Sequence, residues 1–138
     1  MNKLYEIIKF PEFGDNRGSL TTIEFNSGIL PFKTQRIYYI HNTRVGVSRG
    51  FHAHKKLQQV IIAVSGSFEL HLLGRNSKEI IYLSDPSEGI LISSFIWREM
   101  HNLSDDCVIL VLASEPYTES DYIREFSEYL EHLEARTC

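Results

Sequence analysis

The sequence predicts an all-β domain, a sandwich or barrel of many short strands, with one helix at its C-terminal end. Three observations lead there. Short apolar or alternating runs recur along most of the chain. Turn-forming residues separate them at close spacing. Near the end the apolar period lengthens to that of a helix. In order, strands are expected near Tyr5–Phe10, Ser19–Glu24, Gln35–His41, Gln58–Ser65, Phe68–Leu73, Ile80–Leu83, Gly89–Ile92 and Val108–Ala113. Their separators are Gly14-Asp15-Asn16-Arg17-Gly18, Ser65-Gly66, Gly74-Arg75-Asn76-Ser77 and Ser84-Asp85-Pro86-Ser87, built from the residues that turn geometry favours. After them Tyr122, Phe126, Tyr129, Leu130 and Leu133 recur at helical spacing, with Thr118 or Ser120 as the expected cap. This is read as a packing helix that closes one end of the strand array.

A chain of 138 residues is expected to form a single domain spanning 1–138, long enough to bury a real core. The hydrophobic fraction of 43% and charged fraction of 23% are those of an ordinary globular protein. A net charge of −4 argues against a general nucleic-acid binder, while leaving room for local basic groups that hold a phosphorylated ligand. No apolar run approaches the ~18 residues a membrane span needs. The first ten residues carry Lys3, Glu6 and Lys9, unlike a signal peptide, so no membrane association and a cytoplasmic location are expected. Cys107 sits in an apolar run and reads as a core residue; Cys138 is terminal; neither suggests a disulfide framework.

The stretch Arg49-Gly50-Phe51-His52-Ala53-His54 carries the strongest chemical signal. On an extended segment, histidines at i and i+2 point to one side, so His52 and His54 share one space. Such a pair serves either acid–base or metal chemistry. Gly50-x-His52-x-His54-x4-Gln59-x6-Gly66 has the spacing of the first cupin motif. In metal-binding cupins a glutamate stands where this chain has Gln59, and a histidine where it has Arg98. An amide is a poor ligand and a guanidinium is none, so these two positions favour metal-independent acid–base chemistry. Near an unperturbed pKa of about 6.5 the free base is well populated at neutral pH, and a nearby arginine disfavours the imidazolium. That arginine also suits stabilisation of an enediolate oxygen.

Arg17, Arg36, Arg44, Arg49 and Arg98 are candidates for diphosphate contacts, since the guanidinium fork donates two hydrogen bonds at once. Arg17 and Arg49 stand out because each abuts a glycine in a motif. Of the neighbours Tyr38 and Tyr39, which face opposite ways on a strand, Tyr39 is expected in the cavity and His41 on its side. Trp97 is either a stacking platform or a core aromatic. His71 and His132 read as surface residues, and His101 is divided evenly between a structural and a functional role.

The segment Arg49 to Lys56 followed by Gln58-Gln59-Val60 resembles the dTDP-sugar 3,4-ketoisomerase family, the WxcM-like group of RmlC-like cupins. Asp15-x-Arg17-Gly18-Ser19-Leu20, Trp97-x-Glu99-Met100-His101, Val111-Leu112-Ala113-Ser114 and Asp121-Tyr122-Ile123-Arg124 match the same pattern, from about Ile7 to Tyr129. The resemblance implies a cupin-type β-barrel or jelly roll, an intertwined homodimer, no metal and no cofactor. It implies that His52 and His54 move the protons of a dTDP-linked 4-keto-6-deoxyglucose. Arg17, Tyr39, Arg49, Arg98 and Gln59 are the implied substrate-binding residues. Family members differ at the positions of Arg17 and Arg98, and that combination bears on which face of C4 receives the proton; gluco and galacto products both stay open. Three rivals remain: a nucleotide-sugar 3,5-epimerase of the same barrel class, a non-catalytic sugar-nucleotide binder, and a metal-dependent dioxygenase-type cupin.

Overall fold

A computed structural model of the chain describes residues 3–136. It contains twelve strands: β1 (Glu6–Lys9), β2 (Glu12–Asp15), β3 (Gly18–Thr21), β4 (Arg36–Ile40), β5 (Arg49–His54), β6 (Gln59–Ser65), β7 (Phe68–Leu73), β8 (Lys78–Leu83), β9 (Glu88–Ile92), β10 (Trp97–His101), β11 (Val108–Ala113) and β12 (Tyr122–Ile123), followed by helix α1 (Phe126–Ala135). One five-stranded sheet has the order β1-β9-β6-β11-β4, a second has β12-β5-β10-β7-β8, and β2-β3 form a separate hairpin. The two large sheets face each other as a jelly-roll-like sandwich rather than closing into a continuous barrel. No helix among the described residues is long and apolar enough to cross a membrane.

The sequence periods follow from what covers each face. β7 alternates strictly: Phe68, Leu70 and Leu72 are buried in the core between the sheets, while Glu69 and His71 are half-buried on the other side. β6 is apolar from Val60 to Val64 because both of its faces are covered as far as Ala63. Ile61 and Ala63 join the inter-sheet core, whereas Val60 and Ile62 pack outside with Phe10, Leu30, Leu91 and Leu112. Cys107 is a buried free thiol in the main core, as its apolar setting suggests. Cys138 lies outside the described residues.

Several boundaries differ from the sequence reading. β3 ends at Thr21 rather than Glu24. The helix starts at Phe126 with Glu125 as its cap residue, not at Thr118 or Ser120. Tyr122 belongs instead to β12, a two-residue strand paired with His54 and Ala53 of β5. The helix also covers a face rather than an end. Tyr129 packs with Ala53, Trp97 and Ile123 on the outside of the second sheet, and its hydroxyl lies 2.9 and 3.0 Å from the carbonyls of Leu73 and Phe95. Trp97 is therefore a buried core aromatic of this helix–sheet layer. β10 is absent from the strands the sequence predicts because Arg98 sits at a core-facing position and breaks the apolar alternation.

Candidate active site

The histidine pair is aimed by a bulge. On β5 the register with β10 shifts where Arg98 pairs with His52 and Glu99 with Gly50, leaving Phe51 as the extra residue. Gly50 (φ 91) and Phe51 (φ 59) both take left-handed backbone. Gly50 is required twice over, since a Cβ there would also stand 3.1 Å from the Arg98 carbonyl oxygen. Past the bulge, Ala53 faces the helix while His52 and His54 face the inter-sheet space. Their ring centroids lie 4.8 Å apart in an edge-on arrangement. Both histidines thus turn to the same side, as the i, i+2 spacing predicts.

The buried polar atoms without a hydrogen-bond partner locate the cavity. Among the described residues they are Nε2 of His52, Nε2 of His54, Nε and Nη2 of Arg36, both amide atoms of Gln59, Nε and Nη1 of Arg98, and Oγ1 of Thr34. Nearly all buried polar groups are satisfied in folded proteins, so such a concentration marks a place that expects a ligand. Arg36 and Gln59 both sit opposite Ala113 on β11, one row of the first sheet whose small central side chain leaves room between them. His52, His54 and Arg98 belong to the second sheet. The open part of the cavity, about 490 Å³, is lined by Arg36, Tyr38, Arg49, His52, Tyr122 and Arg124 among others.

Electrostatics keep both imidazoles neutral. Burial, then the Arg98 cation, pushes His52 down to about 4. The same two causes, with His52 added, push His54 below its ordinary value. His52 hydrogen-bonds the Gly50 backbone, and His54 Nδ1 donates to Asp121 Oδ2 at 2.9 Å. That leaves Nε2 of each ring as the free, buried nitrogen. Asp121 is itself held, since Lys56 N–H donates to its Oδ1 at 2.7 Å. Arg98 is fully buried, and Nη2 donates to the Ile96 carbonyl at 2.9 Å. Burial lowers its pKa to about 10, so it stays cationic at neutral pH.

Of the residues proposed from the sequence, Arg49 and His52 line this cavity, while His54, Arg98 and Gln59 are fully buried with unpartnered side-chain atoms. Tyr39 lines its mouth but is 62% exposed on the outward side of β4; the tyrosine that turns inward is Tyr38. His41 also lies at the mouth, 5.6 Å from the Tyr39 ring. Arg17 is not brought to the cavity of its own chain. It sits on the β2–β3 hairpin, 87% exposed at the side chain, and is paired with Asp15. Arg44 is exposed and away from the cavity lining. His101 faces the outer side of the second sheet, where Nε2 meets Glu99 at 2.8 Å and Nδ1 meets Ser48 at 2.9 Å. His71 is half-buried on that same face, beside Glu69.

Three site residues have no individual assignment from the sequence: Asp121, Tyr122 and Arg124. Their signal is the segment Asp121-Tyr122-Ile123-Arg124, whose chemistry is hidden by the helical period it shares with the residues after it. The Tyr122 ring is tilted against both histidines, its centroid 5.1 Å from His52 and 4.4 Å from His54, and the Arg124 guanidinium lies 4.2 Å over the Tyr122 ring.

The family described as WxcM-like, C-terminal matches residues 3–134. The chain is 43% identical over 128 residues to a TDP-4-oxo-6-deoxy-alpha-D-glucose-3,4-oxoisomerase of Aneurinibacillus thermoaerophilus, covering 93% of this chain and 91% of that protein. It superposes with a TM-score of 0.93 on QdtA, a sugar 3,4-ketoisomerase of Thermoanaerobacterium thermosaccharolyticum solved with TDP, at 41% identity over 100% of both chains. It also matches WlaRB, a TDP-quinovose 3,4-ketoisomerase of Campylobacter jejuni, with a TM-score of 0.87 and 42% identity over 94% of this chain and 99% of that one. Shared sequence over nearly the whole length, together with the shared fold, makes this chain a member of the WxcM-like family.

Proposed function

We propose that this protein is a sugar-nucleotide 3,4-ketoisomerase that moves the ketone of dTDP-4-keto-6-deoxyglucose from C4 to C3. The observation that carries this reading is the pair of neutral imidazoles whose free, buried Nε2 atoms lie near the fully buried cation Arg98. A C3 proton next to a C4 ketone is acidic enough for a positioned base. One imidazole takes that proton, and negative charge moves to O4 as the C3–C4 enediolate forms. A buried guanidinium with no carboxylate hydrogen-bonded to it is costly, and an oxyanion is the partner it lacks. The second imidazole takes the O3 proton; returning one proton to C4 and the other to O4 leaves the ketone at C3 and a hydroxyl at C4. Protons balance and no electrons leave the sugar. Asp121 keeps His54 with Nε2 free and stabilises its charge when it is protonated. Gln59, fully buried, and Arg36, half-buried, both with open hydrogen-bonding atoms, suit the sugar hydroxyls, and Arg49 and Tyr39 at the mouth suit the nucleotide diphosphate.

The reaction needs no metal and no cofactor in this scheme, and it proceeds on a substrate free in the cytoplasm. The chain acts as an intertwined homodimer. Phe13 and Leu20 face each other across the β2–β3 hairpin and are 62% and 60% exposed, an apolar pair left uncovered within one chain. A partner subunit would cover it, and the hairpin would then carry Arg17 toward the partner's substrate. The wild type should sediment as a dimer, Phe13→Asp with Leu20→Asp should give monomers, and Arg17→Ala should weaken substrate binding. A wild type that sediments as a monomer, or unchanged kinetics in the arginine variant, would remove this part of the reading.

The deciding experiment is NMR of the product formed from dTDP-4-keto-6-deoxyglucose in deuterated water. The expected product has its ketone at C3 and deuterium at C4. A ketone left at C4 with exchange at C3 or C5 would make the protein an epimerase. Unchanged substrate with no exchange would make it a binding protein.

A further inference from the structure

Arg124 lines the cavity beside Arg36 and Arg49, but its fork is already occupied. Nε and Nη2 donate to the two carboxylate oxygens of Glu119 at 2.6 and 3.0 Å. The Tyr117 hydroxyl donates to the same carboxylate at 2.5 Å, and its ring stands 5.7 Å from Tyr122. Side by side, two N–H donors facing two anionic oxygens form the geometry with which arginine binds a phosphate. Both partners are largely in solvent, with side chains 57% exposed for Glu119 and 51% for Arg124. An exposed pair of this kind is weak and exchanges readily. Arg36 lies 5.7 Å from the Tyr117 ring, so a second cation adjoins the same wall.

We propose that Glu119 is a placeholder for the diphosphate of the bound nucleotide, occupying the Arg124 fork in the empty enzyme and yielding it when ligand docks. This rests on the reading that the cavity takes a nucleoside diphosphate sugar. In the empty site the carboxylate offsets repulsion among Arg124, Arg36 and Arg49 and keeps the Arg124 fork seated on Tyr122. In the occupied site the diphosphate, with more charge than one carboxylate, takes the fork. Glu119 then stands near the ligand as a like charge, which hastens departure of product. The residue therefore works against affinity and in favour of release.

Titration calorimetry with TDP and with thymidine tests this on the full-length wild type, Glu119→Gln, Arg124→Gln and the double variant. Glu119→Gln should bind TDP about 2–5-fold more tightly than wild type, the scale of one exposed ion pair. Thymidine, which has no phosphate, should bind both equally. Arg124→Gln should bind TDP at least about 10-fold more weakly, and Glu119→Gln should gain less in that background than in wild type. Unchanged or weaker TDP binding in Glu119→Gln would overturn the proposal, as would thymidine affinity moving in parallel. A folded wild type that binds no TDP would overturn the nucleotide reading itself, and this inference with it.

Discussion

Replacing Asp121 with asparagine changes one atom type at a point where the structure allows a magnitude. The carboxylate accepts from His54 Nδ1 at 2.9 Å on one oxygen and from Lys56 N–H at 2.7 Å on the other. An amide has a single acceptor oxygen, so the substituted side chain cannot serve both donors. If its oxygen keeps Lys56, its NH2 faces His54 Nδ1 and drives the proton to Nε2, the atom the chemistry needs free. A hydrogen bond to a charged group is worth about 1.5–3 kcal/mol, which becomes roughly 10–150-fold when a protonated His54 loses it along the reaction path. We expect kcat to fall by that factor. TDP affinity should change less than about 3-fold, because Asp121 stands behind His54 and outside the cavity lining. Nitrogen-15 NMR of the imidazoles should show His54 as the Nδ1–H tautomer in wild type and a shift toward Nε2–H in Asp121→Asn. A folded variant with kcat within about 2-fold of wild type, or an unchanged tautomer, would refute the positioning role.

Other expected outcomes follow from the same geometry. His52→Asn and His54→Asn should each cut turnover by about 10²–10⁴-fold while TDP affinity, read by calorimetry, stays close to wild type; near-normal turnover in either would remove that histidine from the chemistry. Both imidazoles have folded-state pKa values below the 6.5 of the unfolded chain, so unfolding takes up protons below that pH. Stability should be complete above pH 6.5 and fall as pH drops toward about 4 for His52, and the upper part of that window, from pH 6.5 to about 5, precedes most carboxylate titration. Urea midpoints between about pH 8 and 5 check this, and a double His→Asn variant should flatten the slope; a flat wild-type profile would contradict it. Gly50→Ala should cost about 1–3 kcal/mol through the left-handed backbone alone, with further loss from the approach of Cβ to Arg98. Thermal unfolding followed by circular dichroism should show a Tm several degrees lower; an unchanged Tm would mean the bulge has relaxed.

The strands legible from sequence are those whose chemistry matches their burial. β6, β7 and β11 carry apolar residues wherever the sandwich closes over them, and the apolar pattern places each to within a residue. β10 is hidden for the opposite reason: its interior residue is Arg98, a charge in a core position, tolerated because it faces the cavity. The same functional demand that obscures a strand marks a site, and Arg98 stands out on its own chemistry. The helix start is misplaced because Tyr122 shares its period with Phe126 and Tyr129. Local periodicity cannot see that Tyr122 is taken by pairing with His54, about seventy residues earlier in the chain.

The sequence by itself determined the all-β class, the histidine pair and the residues that argue for proton transfer. These depend on spacing along one strand and on side-chain chemistry, both local properties. Only the tertiary structure decided that Tyr38 rather than Tyr39 turns inward, that Asp121 orients His54, that Arg124 joins the cavity and that Arg17 stays outside it within one chain. Those outcomes depend on which strands pair and which faces meet, and pairing between distant segments leaves no trace in the order of neighbouring residues.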